Sequence, residues 1–239
     1  MKYAPYSFSK IHTFFECQKK FEFTYVNKVS IDRDYEDPSY FKRGRFLHAY
    51  IANRLNGGDG SKLRQYDVET DTKMSLVEYA DQALEHELIS FTFDFDTNMV
   101  ESYISLDQNL EPTRMKDKAA LGGYIDYYAV QDDYGMLVDW KTGKSHDDPN
   151  YSQLELYAIW LFQEFPNITE IDLVFFYVEH NKFALKTITP EDVEGLKLDL
   201  MNKIDLIEGT NVFHTNESKQ CVKCPFFNTC MEEFGIGGL

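Results

Sequence analysis

Three side chains carry the first chemical signal. Gly123-Tyr124-Ile125-Asp126 is followed, thirteen residues after its acid, by Asp139-Trp140-Lys141. Side chains alternate along a strand, so Asp139 and Lys141 share one face and Trp140 turns to the other. Gln131-Asp132-Asp133-Tyr134-Gly135 reads as a hairpin loop. That loop sets Asp126 on the neighbouring strand, where its carboxylate can converge on that of Asp139. Two carboxylates side by side repel, and one takes up a proton unless a cation lies between them. Mg²⁺ or Mn²⁺ meets that need, since both are hard ions with oxygen ligands. Lys141 beside them would hold the attacking water or a phosphate and stabilise developing negative charge. The plainer reading is a solvated hairpin edge with an Asp–Lys pair. The apolar strand before Asp139, and Gly143 after it, which permits close backbone approach to a ligand, favour the chemical one.

The cysteines form a second pattern. Cys221-x-x-Cys224 and Cys230 lie near the C-terminus, and Cys17 lies some two hundred residues away. Two thiolates three positions apart chelate one centre. A pair of disulfides, a Cys₄ zinc site and an iron–sulfur cluster all fit these spacings, although a reducing compartment disfavours disulfides.

These groups need elements to position them. Ser7 caps a helix predicted to run to about Val26, with Cys17 inside it. The polar stretch Ser30 to Asp37 leads to a second helix, Tyr40 to Leu55, which carries His48 and stops at Asn56-Gly57-Gly58. A third helix spans about Ser75 to Ile89. Strand patterns follow at 99–106, where alternation is only partial (Val100, Tyr103, Ile104, Leu106), at Gly123 to Val130 and at Met136 to Thr142. Asp148-Pro149 predicts the cap of a helix over Asn150 to Phe165. Gln153 and Tyr157 sit four apart on one face of it. A buried strand at 171–178, a strand from Phe183 to Ile188 and a helix opening at Thr189 and running to Ile207 precede a looped tail from Gly209. The fold class is α/β, a central mixed or antiparallel sheet flanked by helices, with the first and last segments brought together.

Composition bounds the rest. The chain has 239 residues, 43% hydrophobic and 15% aromatic, which is globular rather than disordered. Its net charge of −16 excludes coating nucleic acid through the whole surface. No apolar run approaches the roughly 20 residues of a membrane span, and no signal-peptide core opens the chain. The expected location is the cytoplasm, that of a host if the chain is virus-encoded.

In order, His48, the Gly-x-x-Asp of 123–126, the Asp-x-Lys of 139–141 and the Gln-x-x-x-Tyr of 153–157 resemble the PD-(D/E)XK nuclease superfamily. The closest resemblance is to its RecB-like branch and, there, to the CRISPR-associated iron–sulfur exonucleases. It covers about residues 6–231. Ile125 replaces the proline of the superfamily's name, as is usual in that branch. The resemblance implies a restriction-endonuclease-like core formed by one domain over 1–239. Residues 57–98 match no motif and are expected to be a variable helical insertion. It implies a divalent metal on His48, Asp126, Asp139 and the backbone carbonyl of Trp140, with Lys141 catalytic and Gln153 and Tyr157 contacting DNA. It also implies a [4Fe–4S] cluster on Cys17, Cys221, Cys224 and Cys230, clasping segment 1–30 to 209–239.

The implied activity is metal-dependent DNA exonuclease action on single strands or ends, with 5′→3′ polarity suggested by the family. The setting is viral recombination, DNA repair or CRISPR adaptation, with proteins of those systems as partners and no membrane. A DNA-binding adaptor of the same fold that does not cut is the alternative. Basic residues near the motifs (Lys19, Lys20, Lys42, Arg43, Arg45, Arg114, Lys116, Lys118, Lys141, Lys144) are read as lining a groove that tracks the phosphate backbone. Tyr6, Phe41, Tyr124 and Tyr151 are candidate base-stacking side chains.

Overall fold

Leu173-Val174-Phe175-Phe176-Tyr177 offers no polar position for water to face, so it must be covered on both sides. In the computed structural model, which describes residues 1–31, 35, 39–64 and 74–235, that is its environment. Most of the Ser30–Asp37 stretch and the 65–73 part of the 57–98 region lie outside the described residues.

Five strands make one sheet in chain order: β1 (Thr97–Leu106), β2 (Leu121–Gln131), β3 (Tyr134–Lys141), β4 (Glu170–Tyr177) and β5 (Lys182–Ile188). β3 and β4 run parallel and the other neighbours antiparallel, so the sheet is mixed. The helices are α1 (Phe8–Glu16), α2 (Gln18–Phe21), α3 (Ser39–Leu55), α4 (Ser61–Arg64), α5 (Leu76–Glu85), α6 (Glu87–Ser90), α7 (Ser152–Glu164), α8 (Val193–Gly209) and α9 (Phe227–Phe234). Helix α7 is the crossover that a parallel β3–β4 pair requires. Among the described residues no helix is long and apolar enough to cross a membrane.

Alternation along the strands divides the interior in two. Leu137, Leu173 and Phe175 face α1, α7 and α8, while Met136, Val138, Trp140, Val174 and Phe176 face α3 and α5. Each face buries a continuous apolar layer, which is the main source of stability.

Several elements depart from the sequence expectation. The helix expected from Ser7 to Val26 breaks at Cys17, whose backbone is extended and which closes α1 and opens α2. A one-turn π-helix (Glu22–Val26) follows. No Pro or Gly marks this break, so periodicity alone could not reveal it. The Ser75–Ile89 helix breaks likewise at an extended His86. Helix α7 starts at Ser152 behind Tyr151, not behind Asp148, because Asn150 Oδ1 accepts from Ser152 N–H instead. The tail is not all loop, since α9 forms there around Cys230.

The chain ends are joined. Glu208, at the C-terminal end of α8, accepts hydrogen bonds from the Tyr6 hydroxyl (2.7 Å) and from the backbone N–H groups of Lys2 and Tyr3. Burial by itself would raise the Glu208 pKa, yet these donors hold it below its ordinary 4.5. A depressed carboxylate stabilises the fold above its ordinary pKa and loses that effect as pH falls through the lowered value. Glu208→Ala is therefore expected to cost about 1–3 kcal/mol near pH 7. Urea melts of the two proteins should converge as the pH drops below 4.5.

Candidate active site

β2 pairs with β3 only as far as Tyr127–Val138. Asp126 and Asp139 are the next residues on the two strands, just past the last pair, where the strands part. The Asp126 side chain replaces the missing ladder bond, its Oδ2 accepting from the Trp140 N–H at 3.0 Å. Further along, β2 pairs instead with the N-terminal segment: Tyr6 N–H donates to the Ala120 carbonyl and Gly122 N–H to the Tyr6 carbonyl. The same Tyr6 is tied through its hydroxyl to Glu208. The N-terminal segment thus occupies the gap that the diverging strands leave.

The β1–β2 ladder is irregular at this same level. Val100 pairs with Tyr127 and Ser102 with Ile125, but the intervening Glu101–Asp126 pair is skipped, and Glu101 takes a positive φ of 48°. Alternation slips on both strands. Tyr127 and Ala129 pack toward α3, whereas Leu121 and Ile125 pack toward α7. Val100 packs toward α3, whereas Ile104 and Leu106 pack toward α7. A left-handed glutamate inside a strand is strained and marks a place where geometry serves something other than pairing.

His48, on α3, meets the two carboxylates that the slip releases. Its Nδ1 is 3.2 Å from Asp126 Oδ1 and 3.8 Å from Glu101 Oε1. Its Nε2 lies 3.0 Å from the Trp140 carbonyl, which orients the ring. Ligand atoms of His48, Glu101 and Asp126 all lie within 4.8 Å of one another. Trp140 itself is buried among the α3-side residues, so its backbone is held rigidly. Asp139, 3% exposed, carries an ion pair of 2.6 Å to Lys141 Nζ, which lies 4.9 Å over the Phe175 ring.

The electrostatics follow from this crowding. Burial alone would lower the His48 pKa, but hydrogen bonding to the Asp126 and Glu101 carboxylates, with the charge of Asp139 nearby, pushes it up to about 10. The imidazolium proton then balances the carboxylates, and a cation binding through Nδ1 must displace it. Burial first, and Asp126 second, push Asp139 up to about 6, against the opposing pull of Lys141 and His48.

Gln153 hydrogen-bonds Tyr157, whose pKa burial pushes up to about 12. Tyr157 is buried against Gly123, where a Cβ would stand 2.9 Å from the ring. The glycine of Gly-x-x-Asp is there to admit this ring. A cleft of about 730 Å³ is lined by Phe41, Arg45, His48, Glu101, Lys141 and Thr142. A second opening of about 350 Å³ holds Lys141, Lys144, His146, Gln153 and Tyr177. Several of the basic residues read as lining a groove are held by carboxylates. Arg43 pairs with Glu179, Lys19 with Glu22, Lys20 with Glu16 and Arg114 with Glu164. Arg45, Lys141 and Lys144 are the basic residues at the two openings. Of the aromatic candidates Tyr6 and Tyr151 are buried, while Phe41 and Tyr124 are exposed.

Glu101 belongs to no sequence motif. Its one trace was the partial alternation of residues 99–106, which is the slip itself.

Away from the His48 group, Cys17, Cys221, Cys224 and Cys230 line one cavity of about 50 Å³ with Glu16 and Lys20. Lys19 N–H donates to the His214 carbonyl and Asn216 Nδ2 to that of Glu16, which joins the first segment to the tail. Burial, followed by the mutual repulsion of the four sulfurs, pushes the Cys230 thiol up to about 11.

The family model of the PD-(D/E)XK nuclease superfamily matches residues 5–231, and the chain belongs to that superfamily. Its fold overlays a solved "Putative exonuclease" from Eubacterium rectale with a TM-score of 0.55, at 10% identity over 90% of this chain and 85% of that one. A second solved structure, SSO0001, covers 92% of this chain and 96% of its own at 16% identity and a TM-score of 0.36. No curated protein matches the chain. The protein is accordingly a nuclease with an α/β core, and nucleic acid is its substrate.

Without a cation, the ionised Asp139 opposes folding. Its raised pKa means that the folded state binds a proton more tightly than the unfolded chain, so stability falls as pH rises from 3.8 through about 6. In EDTA, Asp139→Asn is expected to stabilise the protein by on the order of 1–3 kcal/mol at pH 8. The gain should shrink at pH 5, as read from denaturant midpoints.

Proposed function

We propose that the chain is a divalent-metal-dependent DNA exonuclease acting on single strands or free ends. The observation that carries this reading is the convergence of His48, Glu101 and Asp126 beside the Asp139–Lys141 pair, on backbone that departs from regular pairing to bring them there. One imidazole nitrogen and two carboxylates suit Mg²⁺ or Mn²⁺. In this reading His48, Glu101 and Asp126 hold the ion, and Asp139 and the Trp140 carbonyl are the further oxygens beside them. A bound cation lowers the pKa of its water and polarises the scissile phosphate. Lys141, held by Asp139 at the junction of the two openings, directs its ammonium at the incoming nucleophile or the phosphate. Gln153 and Tyr157, with Arg43, Arg45 and Lys144, orient the strand and contact its backbone. The net charge of −16 supports entry by a narrow route rather than broad duplex wrapping. By resemblance the polarity is 5′→3′, within viral recombination, DNA repair or CRISPR adaptation and alongside proteins of those systems, in the cytoplasm.

The test is degradation of end-labelled single- and double-stranded DNA with Mg²⁺ or Mn²⁺, each end blocked in turn. Lys141→Ala should slow cleavage about 10²- to 10³-fold while calorimetric Mn²⁺ binding is retained. Glu101→Ala and His48→Ala should lose Mn²⁺ binding as well. Undiminished cleavage by the lysine variant sinks its assigned role.

The cysteine cavity is read as the seat of a [4Fe–4S] cluster held by Cys17, Cys221, Cys224 and Cys230. Burial and the neighbouring sulfurs hold Cys224 and Cys230 as thiols, so a cationic iron–sulfur centre is what would draw them into the thiolate form. A tetrahedral zinc ion would draw the sulfurs to about 3.8 Å of one another. The cluster would join segment 1–30 to 209–239 across nearly the whole chain. Anaerobically prepared protein should be brown, with absorbance near ~400 nm from sulfur-to-iron charge transfer. Cys17→Ser should lose that colour and unfold at lower temperature. A colourless protein with stoichiometric zinc overturns the cluster.

A further inference from the structure

Beyond the slip, on the side of the sheet that carries α3, two large aromatic side chains stand in solvent. Tyr103 of β1 and Tyr124 of β2 are cross-strand partners, 50% and 59% exposed. Their ring centroids are 5.1 Å apart with planes tilted by 57°. Each sits two residues from a carboxylate of the His48 group, Tyr103 from Glu101 and Tyr124 from Asp126. The pair is built into the backbone. Gly122 lies beneath it, and a Cβ there would stand 2.5 Å from the Tyr103 hydroxyl, so the glycine lets that ring lie across the strand. Phe41, 45% exposed, stands in the cleft that also holds Glu101 and Arg45. Glu101, two residues from Tyr103 on β1, lines that cleft, so the pair stands beside it along the strand.

We propose that Tyr103 and Tyr124 form a stacking platform for unpaired bases next to the scissile position, which makes a single strand, or the frayed end of a duplex, the occupant of this face. The assignment rests on the nuclease reading above and extends it to the feature that selects the strand. The argument is one of balance. Phosphate attraction is weak on a chain of −16, and Arg43, Lys19, Lys20 and Arg114 are engaged by carboxylates. Contacts insensitive to net charge then add to those of Arg45 and Lys144, and stacking on exposed rings is the contact open to every base. A paired, stacked base presents no face to such a surface, so the same rings that bind an unpaired strand discriminate against intact duplex.

The experiment titrates wild type, Tyr103→Leu, Tyr124→Leu and the two Phe variants into fluorescein-labelled dT12 in EDTA, reading anisotropy. In parallel the wild type is titrated into a dT12 analogue carrying 2-aminopurine at its end. Each Leu substitution should weaken binding about 5- to 150-fold, and each Phe substitution should restore it. Stacking should quench the 2-aminopurine of the wild-type complex, a readout that needs no variant to fold. Equal affinities for wild type and the Leu variants, losses that Phe does not restore, or an unquenched probe each overturn the platform. Cleavage of dT12 in Mn²⁺ without quenching removes the platform and leaves the nuclease reading standing. Quenching with no cleavage in Mg²⁺ or Mn²⁺ removes the cutting role and leaves the platform.

Discussion

The site depends on a break in hydrogen bonding. Where β2 and β3 cease to pair after Tyr127–Val138, one backbone N–H of the inner strand would be left without a partner in a buried setting. Asp126 supplies that partner. Using a carboxylate for this purpose places negative charge at the split and leaves its second oxygen facing His48. The structural need of the sheet and the chemical need of the site are met by one side chain. Substituting Asp126 would disturb both the strand junction and the charge balance, whereas Lys141 stands at the edge, paired with Asp139 and lying over the Phe175 ring.

Charge balance then organises the surroundings. Asp126, Glu101 and Asp139 are crowded at the edge of two apolar layers, and two cations, His48 and Lys141, answer them. The imidazole is drawn to its protonated form and Asp139 is pulled toward its neutral form. Both shifts say the same thing, that the pocket holds more negative charge than its own cations offset comfortably. A divalent ion relieves that imbalance in one step, at the cost of the His48 proton. Proton and metal therefore compete for one nitrogen, the Nδ1 that faces the acids.

Much of this was legible in the sequence because it was local. Asp139 and Lys141 two apart on an apolar strand, Asp126 across a short hairpin, and Gln153 and Tyr157 one helical turn apart are relations that period 2 and period 3.6 fix by themselves. His48 could be placed on its helix, yet its meeting with Trp140 across the sheet is tertiary and came only through resemblance. Glu101 was hidden for a physical reason. It enters the group through a positive φ and a slip in alternation, and irregular backbone has no period to read. Cys17 was hidden similarly. The residues around it carry strong helical signals, and only packing against the tail makes the extended break worthwhile. The ion pairs of the basic residues were hidden too, because a count of lysines and arginines is blind to their carboxylate partners: Arg43 finds Glu179 one hundred and thirty-six positions away.

The N-terminal segment touches both the strands of the candidate site and the cysteine cavity. Tyr6 fills the gap beside β2 with its backbone and fastens to Glu208 with its hydroxyl. One helix further on, the same segment reaches Cys17 and the tail that carries the other three cysteines. Loosening the tail would thus free the segment that holds the strands apart, since α1 packs against α8 and Phe14 and Phe21 pack against Phe213. A clasp on the cysteines, as proposed, would therefore do more than close a long loop: it would also hold the segment that pairs with β2 beside Asp126.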